Sequence, residues 1–179
     1  MIWGFMMLKV DAYNLRRPEP RDLDLFYLYK NDTEINSSLG GFHRGYSKAD
    51  LADWLEAHRL DKNELLLTIA DEQDQAIGQV GLYKIDHRIG MAEFAILIGK
   101  KELWGRGIGT KCTRRMVEFA FNSLNLRRIY LELVDTNSVA HRLYESIGFK
   151  LEGRLRKAQY KNGAYVDVLM MGLLKDEYV

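Results

Sequence analysis

The sequence predicts an α/β chain of the α+β type: a mixed, mostly antiparallel sheet of about seven strands with helices on both faces. Three observations carry this. Apolar runs joined by short polar turns come early and read as hairpins. A strand–helix–strand–helix–strand passage comes late and supplies crossovers, which place helices against a sheet. The 179 residues contain no repeat, low-complexity tract or linker, so they fit one domain with a sizeable core.

Regular patterning begins at Leu8, so the domain is expected over residues 8–178, with 1–7 as an N-terminal extension. That extension is apolar but short, and no positive residue precedes it. It predicts neither a signal peptide nor a membrane span. Leu8 to Arg16 is expected as the first strand. Arg17-Pro-Glu-Pro-Arg-Asp22 is a turn into a helix over Asp22 to Asn31, whose apolar surface comes from Leu23, Phe26, Tyr27 and Tyr29. Asp32 to Tyr46 reads as irregular around Gly40-Gly41. Ser47 caps the next helix, with Asp50 three residues on as the second half of a capping box. Leu51, Trp54 and Leu55 give that helix one apolar face.

Glu64 to Ala70 and Gln75 to Ile85 form a hairpin about the polar turn Asp71-Glu-Gln-Asp74. Ala92 to Ile98 alternates, with Glu93, Ala95 and Leu97 on one side and Phe94, Ile96 and Ile98 on the other. A helix from Ile108 to about Leu124 carries an apolar stripe of Ile108, Cys112, Met116, Phe119 and Ala120. Arg128 to Val134 is a strand. Asn137 caps a helix that Gly148 ends. Phe149 to Arg156 and Tyr165 to Leu174 are strands that reverse at Lys161-Asn-Gly163.

Lys plus Arg is 26 and Asp plus Glu is 25, so no global basic field points to nucleic acid. No membrane partner is expected either. The single cysteine, Cys112, allows no intrachain disulfide and fits a reducing compartment, the cytoplasm. It falls at an apolar helix position and reads as a buried thiol. His43, His58, His87 and His141 have no metal-ligand spacing, so no metal is expected. The serines lack a Gly-x-Ser-x-Gly elbow.

The chemistry centres on Trp104-Gly-Arg-Gly-Ile-Gly-Thr110, between the Ala92 strand and the Ile108 helix. Glycine tolerates positive φ and lets a ligand approach the backbone. The helix that follows turns free N–H groups and its positive dipole end towards the turn, which suits phosphate. A P-loop needs Gly-Lys-Ser/Thr, but Gly109-Thr-Lys stands here. The Rossmann pattern needs a glycine where Thr110 stands. Taken alone, the turn fits an anion site or a merely structural turn.

Asn137-Ser-Val-Ala-His-Arg-Leu-Tyr-Glu-Ser-Ile-Gly-Phe149 follows one strand later. Together the two segments resemble the acetyl-CoA signature and the Asn-x-x-Ala-x-x-x-Tyr-x-x-x-Gly-Phe motif of the GNAT superfamily of N-acetyltransferases. Ala92-Glu-Phe94, Trp104-Gly, Glu152-Gly-Arg-Leu-Arg, Lys161-Asn-Gly-Ala-Tyr-Val-Asp167 and Leu173-Leu-Lys-Asp-Glu-Tyr178 resemble its ribosomal-protein and spermidine N-acetyltransferase branch. The likeness runs from about Leu8 to Tyr178.

The resemblance implies a single GNAT-like domain whose central strands, near Ile98 and Arg128, splay to admit the pantetheine arm of acetyl-CoA. Cofactor-binding residues would be Ile98, Arg106, Gly107, Ile108, Gly109, Thr110, Asn137 and Arg142. Lys111, Arg114 and Arg115 would be further sources of charge, or simply a basic solvated helix face. Asn137 is equally an ordinary helix cap. Tyr144 would be the general acid that protonates the departing thiolate. Glu93 would deprotonate the amine, directly or through water, or bind it by charge. Tyr83, His87 and Tyr130 are weaker alternatives.

The implied reaction is direct acetyl transfer to a primary amine of a small molecule, an amino sugar or a polyamine-like compound. A protein N-terminus of the ribosomal type is the alternative acceptor. A non-catalytic acyl-CoA sensor and a structural protein are the readings from other classes. The acceptor site is expected under the first two helices and the Lys161–Tyr165 hairpin. The segment from Asp32 to Asp50 shows no clear carboxylate excess of the kind a polycation would want. The resemblance also allows a homodimer.

Overall fold

A computed structural model describes residues 8–41 and 45–178. The extension expected over 1–7, and Phe42, His43 and Arg44 beside the expected acceptor site, lie outside the described residues. One eight-stranded sheet runs in the order β1-β2-β3-β4-β5-β6-β8-β7. Every neighbouring pair is antiparallel except β5 with β6. The strands are β1 (Leu8–Val10), β2 (Tyr13–Arg16), β3 (Leu65–Ala70), β4 (Ala76–Asp86), β5 (Met91–Ile98), β6 (Arg128–Val134), β7 (Lys150–Lys161) and β8 (Ala164–Leu174). The helices are α1 (Leu23–Asn31), α2 (Thr33–Ser38), α3 (Lys48–Leu60), α4 (Ile108–Asn122) and α5 (Ser138–Ile147). No helix among the described residues is long and apolar enough to cross a membrane.

Two expectations are corrected. The first strand is a hairpin, because Asp11 takes φ 48 and reverses the chain, so Leu8 pairs with Leu15. An aspartate tolerates this left-handed conformation better than most residues. The sheet therefore gains a strand. The segment expected to be irregular after Asp32 contains α2, whose N-cap Asp32 accepts from Glu34 N–H and Ile35 N–H at 3.0 Å each. Its sequence, Thr-Glu-Ile-Asn-Ser-Ser, has one apolar residue and hence no readable period.

The two sheet faces are covered by different helices. On one, the α4 stripe of Ile108, Cys112, Met116, Val117, Ala120 and Phe121 packs with Ala92, Phe94, Ile129 and Leu131. On the other, Phe26 of α1 and Leu51 of α3 bury against Ala76. There Tyr29 Oη also donates to the Ala76 carbonyl at 3.1 Å. The capping box expected at Ser47 is present: Ser47 Oγ accepts from Asp50 N–H at 3.1 Å, and Asp50 Oδ2 accepts from Ser47 N–H at 2.7 Å.

A buried ion network ties β2 to its surroundings. Arg16 reaches Asp22 in bidentate fashion, at 2.7 and 2.9 Å, and Asp74 at 2.6 Å. Thr68 Oγ1 donates to the same Asp22 carboxylate at 3.0 Å. Isolated, any of these charges would be costly inside the fold; paired in this way they satisfy one another.

Candidate active site

The central strands splay. β5 and β6 pair only over Met91↔Arg128, Ala92↔Ile129 and Glu93↔Tyr130. Beyond Glu93, residues 94–98 have no strand on that side, while β6 remains fully paired with β8 on its other edge. Gly99 N–H donates to Ile77 O on β4 at 2.8 Å. By alternation, the backbone polar groups of Ile96 and Ile98 face the open edge. The Ile98 carbonyl is already engaged there, accepting from Trp104 Nε1 at 2.9 Å. That bond pins the glycine turn to the end of β5, and it explains a tryptophan at the turn's first position.

In the turn, Gly105 and Gly107 have φ +74 and +76, and a Cβ built on either would meet nothing within 4 Å. The backbone is therefore open to a ligand at both. Gly107 is the N-cap of α4 and brings no side-chain cap; the first turn carries no acidic residue. The first helical bond is Lys111 N–H to Gly107 O, so Ile108, Gly109 and Thr110 N–H have no bond among the described residues. This is an uncapped, positively polarised helix end. Gly109 brings α5 close: a Cβ there would lie 3.1 Å from Leu143 Cδ1.

The basic residues sort by partner. Lys111 is held by Asp11 at 2.7 Å, Arg114 donates to Ser146 O at 2.6 Å, and Arg115 reaches Glu118 at 3.4 Å. Arg106 and Arg142 are exposed and have no ion pair among the described residues. Asn137 uses both ends of its amide. Oδ1 accepts from Ala140 N–H at 3.0 Å as the α5 cap, and Nδ2 donates to Ser38 O at 3.0 Å, joining α5 to α2.

Tyr144 is 7% exposed and lies on the helix face that packs on Phe94 and Phe149, with ring centroids at 6.2 and 5.6 Å. Its hydroxyl has no hydrogen bond to a described residue, and burial pushes the phenol above its ordinary pKa. It is therefore protonated at neutral pH. Cys112 is equally buried, its thiol pushed up to about 12, which fits an inert core thiol.

Glu93 occupies the last paired position before the splay. Its neighbours Ala92 and Phe94 point into the α4–α5 core, so its side chain points to the opposite face. Lys84 Nζ lies 2.7 Å from Glu93 Oε2. A register shift between Tyr83 and Asp86, with Lys84 at φ 50, re-aims that lysine at the carboxylate. The phenol of Tyr144 and the carboxylate of Glu93 thus flank the opening from opposite faces of the sheet. Tyr83 and Tyr130 lie directly across from Glu93 on its two neighbouring strands.

On the Glu93 face a pocket of ≈ 120 Å³ follows β5. Gln79, Tyr83, Ala95, Ile96 and Leu97 form its floor; Lys30, Asn36, Leu39 and Tyr46 form its roof. The expected hairpin contributes from behind, through Lys161 Nζ donating to Gly41 O at 2.8 Å. Sequence reasoning did not single out Lys30, Asn36 or Gln79. Nothing in their local patterns marks them, since they meet only across three elements. A larger cleft of ≈ 380 Å³ beside α3, lined by Pro18, Pro20, Leu55 and Leu66 among others, contains none of the predicted site residues.

A splayed parallel pair, a glycine-led helix end and a buried phenol over the opening define a cofactor-dependent acyl transferase. The family described as "Acetyltransferase (GNAT) domain" matches residues 13–150, and the chain belongs to it. Spermidine N(1)-acetyltransferase of Vibrio cholerae is 34% identical over 166 residues, 92% of this chain and 94% of that protein. The crystal structure of the spermidine N-acetyltransferase from Vibrio cholerae in complex with CoA and spermine superposes with TM-score 0.85 at 32% identity, covering 93% of this chain and 98% of that one. L-amino acid N-acetyltransferase AaaT of Escherichia coli is 34% identical over 89 residues, 49% of this chain and 54% of that protein. The chain is an acetyl-CoA-dependent N-acetyltransferase.

Proposed function

We propose that the enzyme transfers the acetyl group from acetyl-CoA directly to the primary amine of a small molecule seated in the pocket under α1 and α2. The observation that carries this is the pocket itself. It is small, roofed by Lys30, Asn36, Leu39 and Tyr46, and it opens along β5 where β6 has departed. A protein N-terminus would call for an open groove. The names of the relatives, spermidine in one case and an L-amino acid in another, support a small amine.

In this reading Ile108, Gly109 and Thr110 N–H hold the pyrophosphate of acetyl-CoA, with Arg106 and Arg142 as the free cations beside it. The open backbone of Gly105 and Gly107 gives that group room. Ile98 N–H and the polar groups of Ile96 pair with the pantetheine arm as an added strand would. Acetyl-CoA supplies the activated carbonyl. Glu93 draws the acceptor ammonium by charge and takes its proton, directly or through one water. The amine nitrogen then bonds to the acetyl carbon, the carbon–sulfur bond breaks as Tyr144 gives its proton to the thiolate, and the amide nitrogen sheds its second proton, which restores the Tyr144 phenol through water.

The test is thiol release from acetyl-CoA with an amine panel, on the wild type and on Glu93→Gln. Release should depend on the amine and fall about 10²-fold in kcat/KM in the variant. Binding of acetyl-CoA without amine-dependent release would instead favour a sensor, and release only with peptide N-termini would favour the protein acceptor.

A further inference from the structure

Among the described residues that line the acceptor pocket there is one formal charge, and it is positive. Lys30, at the end of α1, is the only acidic or basic residue of that described lining. Its Nζ sits 4.0 Å from the ring centroid of Trp54 and 5.9 Å from that of Tyr46. It has no ion pair or hydrogen bond among the described residues. The contrast with its neighbours is sharp. Lys48 has Asp24 at 2.7 Å, Lys101 has Asp32 at 2.8 Å and Glu34 at 2.7 Å, and Lys84 has Glu93 at 2.7 Å. The acids nearest Lys30 in sequence, Asp24, Asp32 and Glu34, are thus already neutralised by other lysines. From Leu39 to Tyr46 the sequence contains no Asp or Glu at all.

A half-buried ammonium held only by aromatic faces retains a strong field, because the medium around it screens poorly. Burial lowers its pKa to about 8, so it still carries its charge at neutral pH. The pocket also holds a second unsatisfied group. Gln79 Oε1 is buried without a hydrogen-bond partner, an acceptor waiting for an N–H or O–H. A long polycation entering here would meet repulsion from Lys30 and find no free carboxylate in the lining to replace its water. A molecule carrying an acid group would supply the missing partner for Lys30.

We infer that the acceptor is an amine that also carries an anionic oxygen group, a carboxylate or a phosphate, which pairs with Lys30 while Gln79 Oε1 takes a hydrogen bond from the same molecule. This rests on the small-amine reading and narrows it. The acceptor is a zwitterion or an acidic amino compound, such as an amino acid or a phosphorylated amino sugar, and not a polyamine. Lys30 draws the acid end, and the amine end lies towards Glu93, where it takes the place of Lys84 beside the carboxylate, so the molecule is oriented along β5.

Matched acceptor pairs test it, with thiol release from acetyl-CoA as the readout. γ-Aminobutyrate is compared with putrescine, and glucosamine 6-phosphate with glucosamine. In the wild type, the anionic member of at least one pair should have the higher kcat/KM by about tenfold or more, as expected for a charge-assisted contact. The pair that shows the gap identifies carboxylate or phosphate. Lys30→Gln should collapse the gap through the KM of the anionic member, Lys30→Arg should keep it, and Lys30→Glu should invert it. Faster turnover of putrescine and glucosamine by the wild type would overturn the inference and leave the N-acetyltransferase reading intact. A gap that Lys30→Gln does not change would overturn it as well. Absence of release with every amine would overturn the small-amine reading, and the inference with it. Should Lys30→Gln fail to fold, the wild-type pairs together with Lys30→Arg still decide.

Discussion

Replacing Tyr144 with Phe should separate catalysis from stability. The ring stays, and with it the contacts to Phe94 and Phe149 at 6.2 and 5.6 Å. What is lost is one hydroxyl, on a side chain 7% exposed, that makes no hydrogen bond to a described residue. Deleting a polar atom of that kind breaks no bond within the described protein, so stability should hold within about 1 kcal/mol. The reaction loses its proton donor. General acid catalysis contributes about 10²–10⁴-fold, so kcat should fall by at least about 10², close to 3 kcal/mol of activation free energy. The KM for acetyl-CoA should stay, because the α4 turn is untouched. Thiol-release kinetics and a thermal melt on the same preparation measure both quantities. Burial raises the wild-type phenol, so loss of its proton should not limit kcat until well above the ordinary tyrosine range. A variant with unchanged kcat and unchanged melting temperature would remove Tyr144 from the mechanism. One destabilised by more than about 2 kcal/mol would show that the hydroxyl has a structural partner, against the argument above.

Other parts of the site and the fold give further predictions. Gly107→Ala forces a Cβ into φ +76, at a cost of about 1–2 kcal/mol, and should raise the KM for acetyl-CoA several-fold with a lower melting temperature. Asp22→Asn leaves the buried Arg16 guanidinium without its bidentate partner, and urea unfolding should show a loss of about 3–5 kcal/mol. Lys30 lies against Tyr46 and Trp54 with no acid partner among the described residues, and its pKa lies near 8 instead of 10.5, so any preference for acid-bearing amines should fade as pH rises through about 8. The same shift sets a stability effect. Charged Lys30 costs the native state below about 8, and the cost is relieved as pH climbs towards 10.5. Lys30→Met should therefore gain about 1–3 kcal/mol near pH 7 and little near pH 10, read from melts across that range.

The local chain sufficed for much of this molecule. Glycine alternation over 105–109 predicts an open, uncapped helix end because the requirement for positive φ and the missing side-chain cap belong to adjacent residues. Asn137 and Gly148 bound α5 for the same reason, and the alternation of β5 places Glu93 opposite Phe94 without further information. Where local pattern is thin, the sequence misleads. α2 has one apolar residue and rests on its Asp32 cap, and the reversal at Asp11 lies inside an apolar-rich run short enough to be taken for a single strand. The tertiary structure alone decided which charges are free. Lys111 and Arg114 look like Arg106 in the sequence, yet their partners are Asp11 and the Ser146 carbonyl, each brought from a distant segment. Lys30 is unremarkable on α1 until Trp54, Tyr46 and Gln79 close around it while Lys48 and Lys101 take the nearby acids. Backbone conformation answers to neighbours along the chain, so the donor's binding site is written in short motifs. The acceptor pocket is a balance of charge and burial among elements far apart in sequence, and only folding brings those terms together.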